Sequence, residues 1–140
     1  MITLVDYFNH KLDHPEATEL MKDNARDLLG KVNALLDEAR NAGIYGDWVD
    51  PDTGTCVSGS KGGSGDGGFR LQSSPTGAPR SAHKQAKAVD VFDPTDALEK
   101  WCNDAILSRH GLYREHPSAT PGWFHLQSKP PGSGRRTFYP

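Results

Sequence analysis

A chain of 140 residues with a formal net charge of −2 is long enough to bury one hydrophobic core, so we predict a single domain over residues 1–140. The near-neutral charge gives no basic surface field, which argues against nucleic acid as a partner. No apolar run approaches the roughly 20 residues of a membrane helix, and the first residues lack the pattern of a secretory signal. We therefore expect no membrane partner, no signal peptide and synthesis in a cytoplasm.

The first long element is a helix predicted over residues 15–42. Its apolar residues recur every three or four positions and define one face: Leu20, Leu28, Leu29, Val32, Leu35, Leu36 and Ala39. Pro15 suits the first helical turn, and Gly43 is a natural stop. Gly30 inside the helix indicates close packing or a kink. The apolar segment ITLVDYF before the helix fits either a short strand or the first turn of a separate helix.

Glycine, serine and proline dominate the middle of the chain. The segment DWVDPDTGTCVSG, residues 47–59, indicates a β-hairpin that turns through Pro51 and Gly54. We interpret the Gly/Ser-rich stretch that follows as a surface loop, because the roughly 60 residues after it would make only a marginal second domain. Phe69 and Leu71 are expected to hold this loop against the domain.

Two strands and a helix are predicted in the second half. KAVDVFD alternates with period two and indicates a buried strand, and GWFHLQ alternates in the same way. Between them, residues 94–111 predict one helix with Leu98, Trp101, Ala105 and Ile106 facing the core. The tail is expected to be irregular, with an aromatic anchor. The order helix, hairpin, strand, helix, strand indicates an α+β fold with helices packed on a small antiparallel sheet.

The two cysteines, Cys56 and Cys102, do not form a disulfide framework. In a reducing compartment we expect free thiols. A single bridge between the two stays an alternative, because sequence alone does not settle pairing.

Two histidines and an aspartate lie on or beside the predicted strands. His83 ends the loop, Asp90 lies in the first strand and His125 lies in the second. Imidazole and carboxylate groups are good zinc ligands, and neighbouring strands would bring these three together. A buried Asp90 would need a partner or a metal, whereas an outward-facing one would be unremarkable, and either histidine could be solvated or hydrogen-bonded. The remaining histidines are expected to be solvated: His10, His14, His110 and His116.

A two-part motif resembles a known family of enzymes. SAHKQAKAVDVFDP followed by GWFHLQ is similar to the zinc D-Ala-D-Ala carboxypeptidases of the VanY type and related peptidoglycan peptidases. That family shares Ser-x-His-x-x-Gly-x-Ala-x-Asp and a later Trp-x-His strand motif. The matching residues are Ser81, His83, Ala88, Asp90, Trp123 and His125. The ending TPGWFHLQSKPPGSGRRTFYP is similar to small phage-encoded members, and the likeness extends from about Val57 to the end of the sequence and weakly to the long helix before it.

The resemblance implies the Hedgehog/D,D-peptidase fold and one zinc ion held by His83, Asp90 and His125. It also implies a substrate in the stem or cross-bridge peptides of peptidoglycan. Arg70 is the best match to the family arginine that holds the substrate carbonyl or carboxylate, and Lys61 is the second; the alternative is that Arg70 is an ordinary surface charge.

Two further residues match the motif beside the predicted ligands. We assign Ser81 and Trp123 to substrate binding on the strength of the resemblance. The alternative for Ser81 is that it supports a metal ligand or simply ends the loop.

The chain departs from the family pattern at two positions. The motif glycine is Ala86, which is a mild change if the backbone angles there suit alanine. The family also places a carboxylate three residues before the last histidine, where this chain has Gly122. We therefore expect Glu115 to serve as the general base, with Asp93 or an N-terminal acidic residue next in line. The alternative is that Glu115 is a solvated loop residue.

Together these features predict a monomeric zinc metallopeptidase, a D,D- or L,D-carboxypeptidase or endopeptidase. It would be a phage endolysin or virion component that is present in the host cytoplasm or the particle and acts at the bacterial cell wall. The alternative is a weakly active or inactive zinc-stabilised module that binds the wall or has a structural role. Gly122 is the feature that favours this alternative.

Overall fold

The computed structural model describes residues 1–49, 67–74 and 81–140, which form helices around one four-stranded sheet. The α-helices are α1 (Leu4–Phe8), α2 (Glu19–Asn41), α3 (Ala97–Trp101) and α4 (Asp104–His110). The strands are β1 (Ala88–Phe92), β2 (Tyr113–Glu115), β3 (Trp123–Gln127) and β4 (Thr137–Phe138). Mixed helix and sheet agrees with the predicted α+β class. The predicted hairpin beyond Val49, together with Cys56 and Lys61, lies outside the described residues.

Helix α2 carries the predicted apolar face, but it begins later than the sequence indicated. The Thr18 side chain accepts a hydrogen bond from the backbone N–H of Met21 and caps the helix, so residues 15–17 form turns before it. The face is buried except for Leu20, which is 64% exposed because it lies roughly a third of a turn away from the buried stripe. A Cβ on Gly30 would meet no described atom within 4 Å, so the close packing expected there is wrong.

The sheet has the strand order β1-β3-β2-β4. Strands β1 and β2 both pair antiparallel to β3, whereas β4 pairs parallel to β2. The prediction of an antiparallel sheet is therefore right for three strands and wrong for the fourth. Neither β2 nor β4 was predicted, since strands of three and two residues are too short to show alternation.

Two helices, α3 and α4, replace the single helix predicted between β1 and β2. Cys102 has an extended backbone, and the Asn103 side chain accepts a hydrogen bond from the backbone N–H of Ile106 at 2.9 Å. An asparagine at this position caps a new helix and competes with continuation of the first. Ile106 is buried as predicted, whereas Ala105 is exposed.

One hydrophobic cluster joins the helices to the sheet and includes residues from Ile2 to Leu126. The segment 67–74 is held against this cluster, as predicted. Phe69 is 2% exposed and its ring lies 5.1 Å from that of Phe8, while Leu71 packs partly buried beside the cluster. Within the described part of the chain, no helix has the length and apolarity needed to cross a membrane.

Ala86 occupies the left-handed region of backbone conformation, with φ of 56° and ψ of 37°. This conformation costs a residue with a Cβ about 1–2 kcal/mol relative to glycine. The side chain is also fully buried. The backbone angles therefore favour the glycine of the family motif, and the substitution is not as mild as the sequence suggested.

We expect Ala86→Val to lower the free energy of unfolding by about 2–3 kcal/mol, because it places a β-branched side chain on a left-handed, buried backbone. Ala86→Gly relaxes the backbone but loses a buried methyl group, so it should stay within about 1 kcal/mol of the parent. Urea unfolding measures both. The control is Ala105→Val at an exposed helical position, with an expected loss of about 0.5 kcal/mol. Equal losses for Ala86→Val and the control would contradict strain at this residue.

Candidate metal site

Three buried side chains with metal-ligating atoms meet beside the centre of the sheet. His83, Asp90 and His125 are 3%, 5% and 5% exposed, and one ligating atom of each lies within 4.8 Å of the others. Asp90 pairs directly with His125 across β1 and β3, which puts both side chains on the same face. His83 joins them from the 3₁₀ helix Ala82–Gln85. The residues predicted as ligands are thus brought together and could hold a metal ion.

Asp90 is the centre of this triad. Its Oδ1 lies 2.8 Å from Nδ1 of His125 and 3.3 Å from Nε2 of His83, and its Oδ2 lies 3.4 Å from Nη2 of Arg70. Burial works to raise the pKa of Asp90, but the charge of His83 and the hydrogen bonds from both histidines outweigh it and hold the pKa well below its usual range. The carboxylate is therefore ionised and compensated by its neighbours.

His125 shows the complementary shift. Burial alone would lower its pKa, but the hydrogen bond to Asp90, the charge of Asp90 and then the charge of Glu115 outweigh burial and raise the pKa. The triad therefore attracts positive charge in the space between its ligating atoms, whether that charge is a proton or a metal ion.

The backbone fixes the orientation of His83. Its Nδ1 lies 2.9 Å from the carbonyl oxygen of Gly68, which can only accept, so Nδ1 carries the hydrogen. Nε2 is the other ring nitrogen and lies 3.3 Å from the Asp90 carboxylate. The carboxylate oxygen can only accept, so either a proton on Nε2 or a metal ion must lie between the two atoms. The arrangement therefore fits a metal ion, and metal-bound histidines commonly donate their other ring N–H in this way.

A pocket of about 740 Å³ adjoins the triad and contains every residue assigned a functional role from the sequence. Besides the triad it is lined by Arg70, Ser81, Glu115 and Trp123. The register of β2 on β3, continued by one residue, brings Glu115 level with His125. Its Oε1 lies 3.7 Å from Nδ1 of His125, and its side chain is 22% exposed. Glu115 thus faces the pocket, against the alternative of a solvated loop residue.

Other candidates have structural partners instead. Asp93 is 1% exposed, and its two carboxylate oxygens accept hydrogen bonds from the backbone N–H groups of Leu98 and Glu99 at the start of α3. It is absent from the described lining of the pocket, so the structure gives no support to Asp93 as the next candidate base. Ser81 accepts a hydrogen bond from the backbone N–H of His83 and caps the 3₁₀ helix, which agrees with a loop-ending role.

Two of the histidines expected to be solvated are partly covered. The side chain of His110 is 16% exposed, with Nε2 3.6 Å from a carboxylate oxygen of Glu38 on α2. The ring of His116 stacks on Tyr139 at a centroid distance of 4.4 Å. Full solvation of these histidines was therefore a wrong prediction, because α2 and the C-terminal segment pack against them.

Sequence reasoning missed Gln127 and the wall formed by the C-terminal segment. Oε1 of Gln127 lies 2.8 Å from Nε2 of His125. Residues 129–133 and 138–140 line the pocket, although the tail was predicted only as irregular. The period of two in GWFHLQ places Gln127 on the same face as His125, and this signal could have identified it.

Comparisons of the chain with protein-family models, with curated proteins and with solved structures found no match in any of the three. The candidate site therefore depends on the geometry of the described residues and on the chemistry of their side chains.

We expect the melting temperature of the metal-free protein to be highest between about pH 4 and 6.5. The pKa of His125 is raised, so its contribution is complete below its ordinary value of 6.5 and is lost as the pH rises through the folded value. The pKa of Asp90 is lowered, so its contribution is complete above its ordinary value of 3.8 and is lost as the pH falls.

Thermal melts in chelator across this pH range measure the effect. His125→Asn should remove the decline on the alkaline side, whereas Asn33→Leu, a distant destabilising control, should keep it. A melting temperature that does not fall above about pH 6.5 would contradict the assigned direction for His125.

Proposed function

We propose that the protein is a zinc-dependent metallopeptidase that hydrolyses peptide bonds in the stem or cross-bridge peptides of bacterial peptidoglycan. The observation that carries this proposal is the convergence of buried His83, Asp90 and His125 in a pocket shared with Arg70 and Glu115. The likeness of the two-part motif to VanY-type peptidases supports the substrate class and the Hedgehog/D,D-peptidase fold.

The donor set favours zinc among the common metal ions. Two imidazoles and one carboxylate are borderline to hard ligands, and three protein ligands are typical of a catalytic zinc site with a position left open. Zinc in such a site acidifies water and polarises the carbonyl of the substrate. The buried carboxylate and the backbone-oriented His83 are the features of this chain that support such a site.

Glu115 and Arg70 supply the other two functions that hydrolysis needs. Among the described residues, Asp90 and Glu115 are the carboxylates that line the pocket, and Asp90 is committed to the histidines. Glu115 accepts the proton of the attacking water and returns it to the leaving amine. The Arg70 guanidinium, which also contacts Asp90, holds a carbonyl or carboxylate oxygen of the peptide.

The pocket is large enough for a short peptide, since ligand pockets commonly enclose about 300–1,000 Å³. Ser81 and Trp123 contribute to its lining and are proposed to contact the substrate. The motif likeness to small phage-encoded members supports a role as a monomeric endolysin or virion component that acts at the cell wall.

Gly122 supports a second candidate function. It has φ of 87°, a conformation that favours glycine, and it occupies the position of the family's catalytic carboxylate. A protein without that carboxylate can hold zinc for stability and bind wall peptides with little or no turnover. Lysis of purified cell walls, measured with and without chelator, separates the two functions: chelator-sensitive lysis supports the peptidase, and binding without lysis supports the module.

We expect the metal-replete protein to carry about one zinc ion per chain and to melt at a lower temperature in chelator. A ligand bound only by the folded state stabilises it by about 4 kcal/mol at a thousandfold excess over Kd. Elemental analysis and thermal melts measure the two effects. His83→Ala should abolish both, whereas His14→Ala, remote from the triad in the sequence, should keep them. Zinc content unaffected by His83→Ala would contradict the site.

We expect Glu115→Gln to slow wall hydrolysis by about 10²–10⁴-fold, because the amide cannot accept a proton from water. Zinc content should stay unchanged, since the triad is intact. The matched control is Asp93→Asn, which alters a buried carboxylate outside the pocket and should affect stability more than rate. A Glu115→Gln variant with near-parental activity would assign the base to another group.

A further inference from the structure

We propose that Gln127 is a positioning residue that selects the ring nitrogen through which His125 binds the metal. The inference rests on the proposed zinc site, but its evidence lies in hydrogen bonds within the chain. Gln127 is 7% exposed and follows His125 by two residues on β3, so their side chains leave the strand on the same face.

The orientation of the Gln127 amide is determined by a second contact. Its nitrogen, Nε2, lies 2.6 Å from the backbone carbonyl oxygen of Lys129. A carbonyl oxygen can only accept, so the amide nitrogen must occupy this side of the group. The amide oxygen, Oε1, therefore faces the other way, toward His125.

This orientation determines where His125 carries its hydrogen. Oε1 of Gln127 lies 2.8 Å from Nε2 of the ring, and an oxygen at that distance requires Nε2 to donate. Asp90 also accepts from this ring, at Nδ1; if a metal ion takes the place of that proton, the ring keeps a single hydrogen on Nε2 and Nδ1 is left to bind the metal. Nδ1 is the atom that lies 2.8 Å from Asp90 and faces the triad.

The two histidines of the triad are thus oriented in opposite ways by different acceptors. The Gly68 carbonyl holds the hydrogen of His83 on Nδ1 and leaves Nε2 for the metal. The Gln127 amide holds the hydrogen of His125 on Nε2 and leaves Nδ1 for the metal. His125 and Gln127 are both buried, so a ring N–H that lost its acceptor would be costly, and the other tautomer would then compete.

Long-range ¹H–¹⁵N NMR of the imidazole rings tests the assignment directly. In the zinc-loaded protein we expect the His125 hydrogen on Nε2, and in the metal-free protein at neutral pH we expect a hydrogen on Nε2, donated to Gln127, beside one on Nδ1, donated to Asp90. A wild-type spectrum of either form without a hydrogen on Nε2 would overturn the proposal. Because the metal-free spectrum requires no zinc, a protein that bound no zinc would refute the metal site and still test the role of Gln127.

Zinc affinity, measured by competition with a chelating dye, tests the consequence. Gln127→Met keeps the length of the side chain but removes the acceptor, and we expect zinc to bind about 10–100-fold more weakly. Gln127→Glu retains an acceptor and should bind zinc more tightly than Gln127→Met. Gln72→Met is the matched control, because Gln72 also donates its amide to a backbone carbonyl, that of Lys84, without contacting a proposed ligand.

The outcomes separate a positioning role from a purely structural one. A folded Gln127→Met variant with parental zinc affinity would overturn the proposal, as would an equal loss in Gln72→Met. If Gln127→Met fails to fold, the tautomer in the wild-type protein and the affinity of Gln127→Glu decide the question. Loss of affinity in Gln127→Glu as large as in a ligand variant such as His83→Ala would also count against it.

Discussion

Asp90 lies at the centre of β1, and its ionised carboxylate belongs to a side chain that is only 7% exposed. A buried charge of this kind is costly unless hydrogen bonds and opposite charges compensate for it. Here the compensation comes from His125 across the sheet, from His83 and from Arg70. Because each partner belongs to a different segment of the chain, burial of this one carboxylate brings together the residues of the candidate site.

The register of the sheet brings a second carboxylate, that of Glu115, beside Asp90 and His125. Asp90 and His125 are direct partners, and the pairing of β2 with β3 brings Glu115 to the same level. Asp90, His125 and Glu115 lie on three adjacent strands, and their side chains are on the same face of the sheet. Gly122, just before β3, has φ of 87°, a conformation that favours glycine, so in this structure the carboxylate beside His125 comes from β2 and not from that turn.

The sequence was informative where periodicity and motif spacing acted together. Strands β1 and β3 and the buried face of α2 were predicted because their apolar residues recur with a clear period. The sequence indicated that Asp90 and His125 would come together if their two strands were neighbours, and the structure shows that these strands pair. The register of that pairing was not predicted, because register depends on the whole sheet.

The remaining features depend on single side chains or on very short elements. Asn103 interrupts a segment whose apolar pattern continues on both sides, so a pattern of period 3.6 does not reveal the break. Strand β2 has three residues, and its position beside β3 is what brings Glu115 to the pocket. Gln127 lies on the predicted face of β3, but the role proposed for it depends on an amide orientation that is set by the Lys129 carbonyl and that the sequence does not show.

The segment 67–74 connects the candidate metal site to the rest of the fold. The carbonyl of Gly67 accepts from the backbone N–H of Asp90, the carbonyl of Gly68 accepts from the His83 ring, and the backbone N–H of Arg70 donates to the His83 carbonyl. The buried ammonium of Lys84 adds two hydrogen bonds to carbonyls later in the same segment.

These bonds make the orientation of His83 depend on the position of this segment. They also place Arg70 beside the Asp90 carboxylate, so one short segment sets both the ligand geometry and the cation that faces the pocket. A metal ion that draws His83 and Asp90 together would stabilise the same backbone contacts, since binding energy and folding energy are linked wherever ligands come from separate elements. If the proposed function is correct, metal binding and substrate recognition are therefore expected to be coupled through these hydrogen bonds.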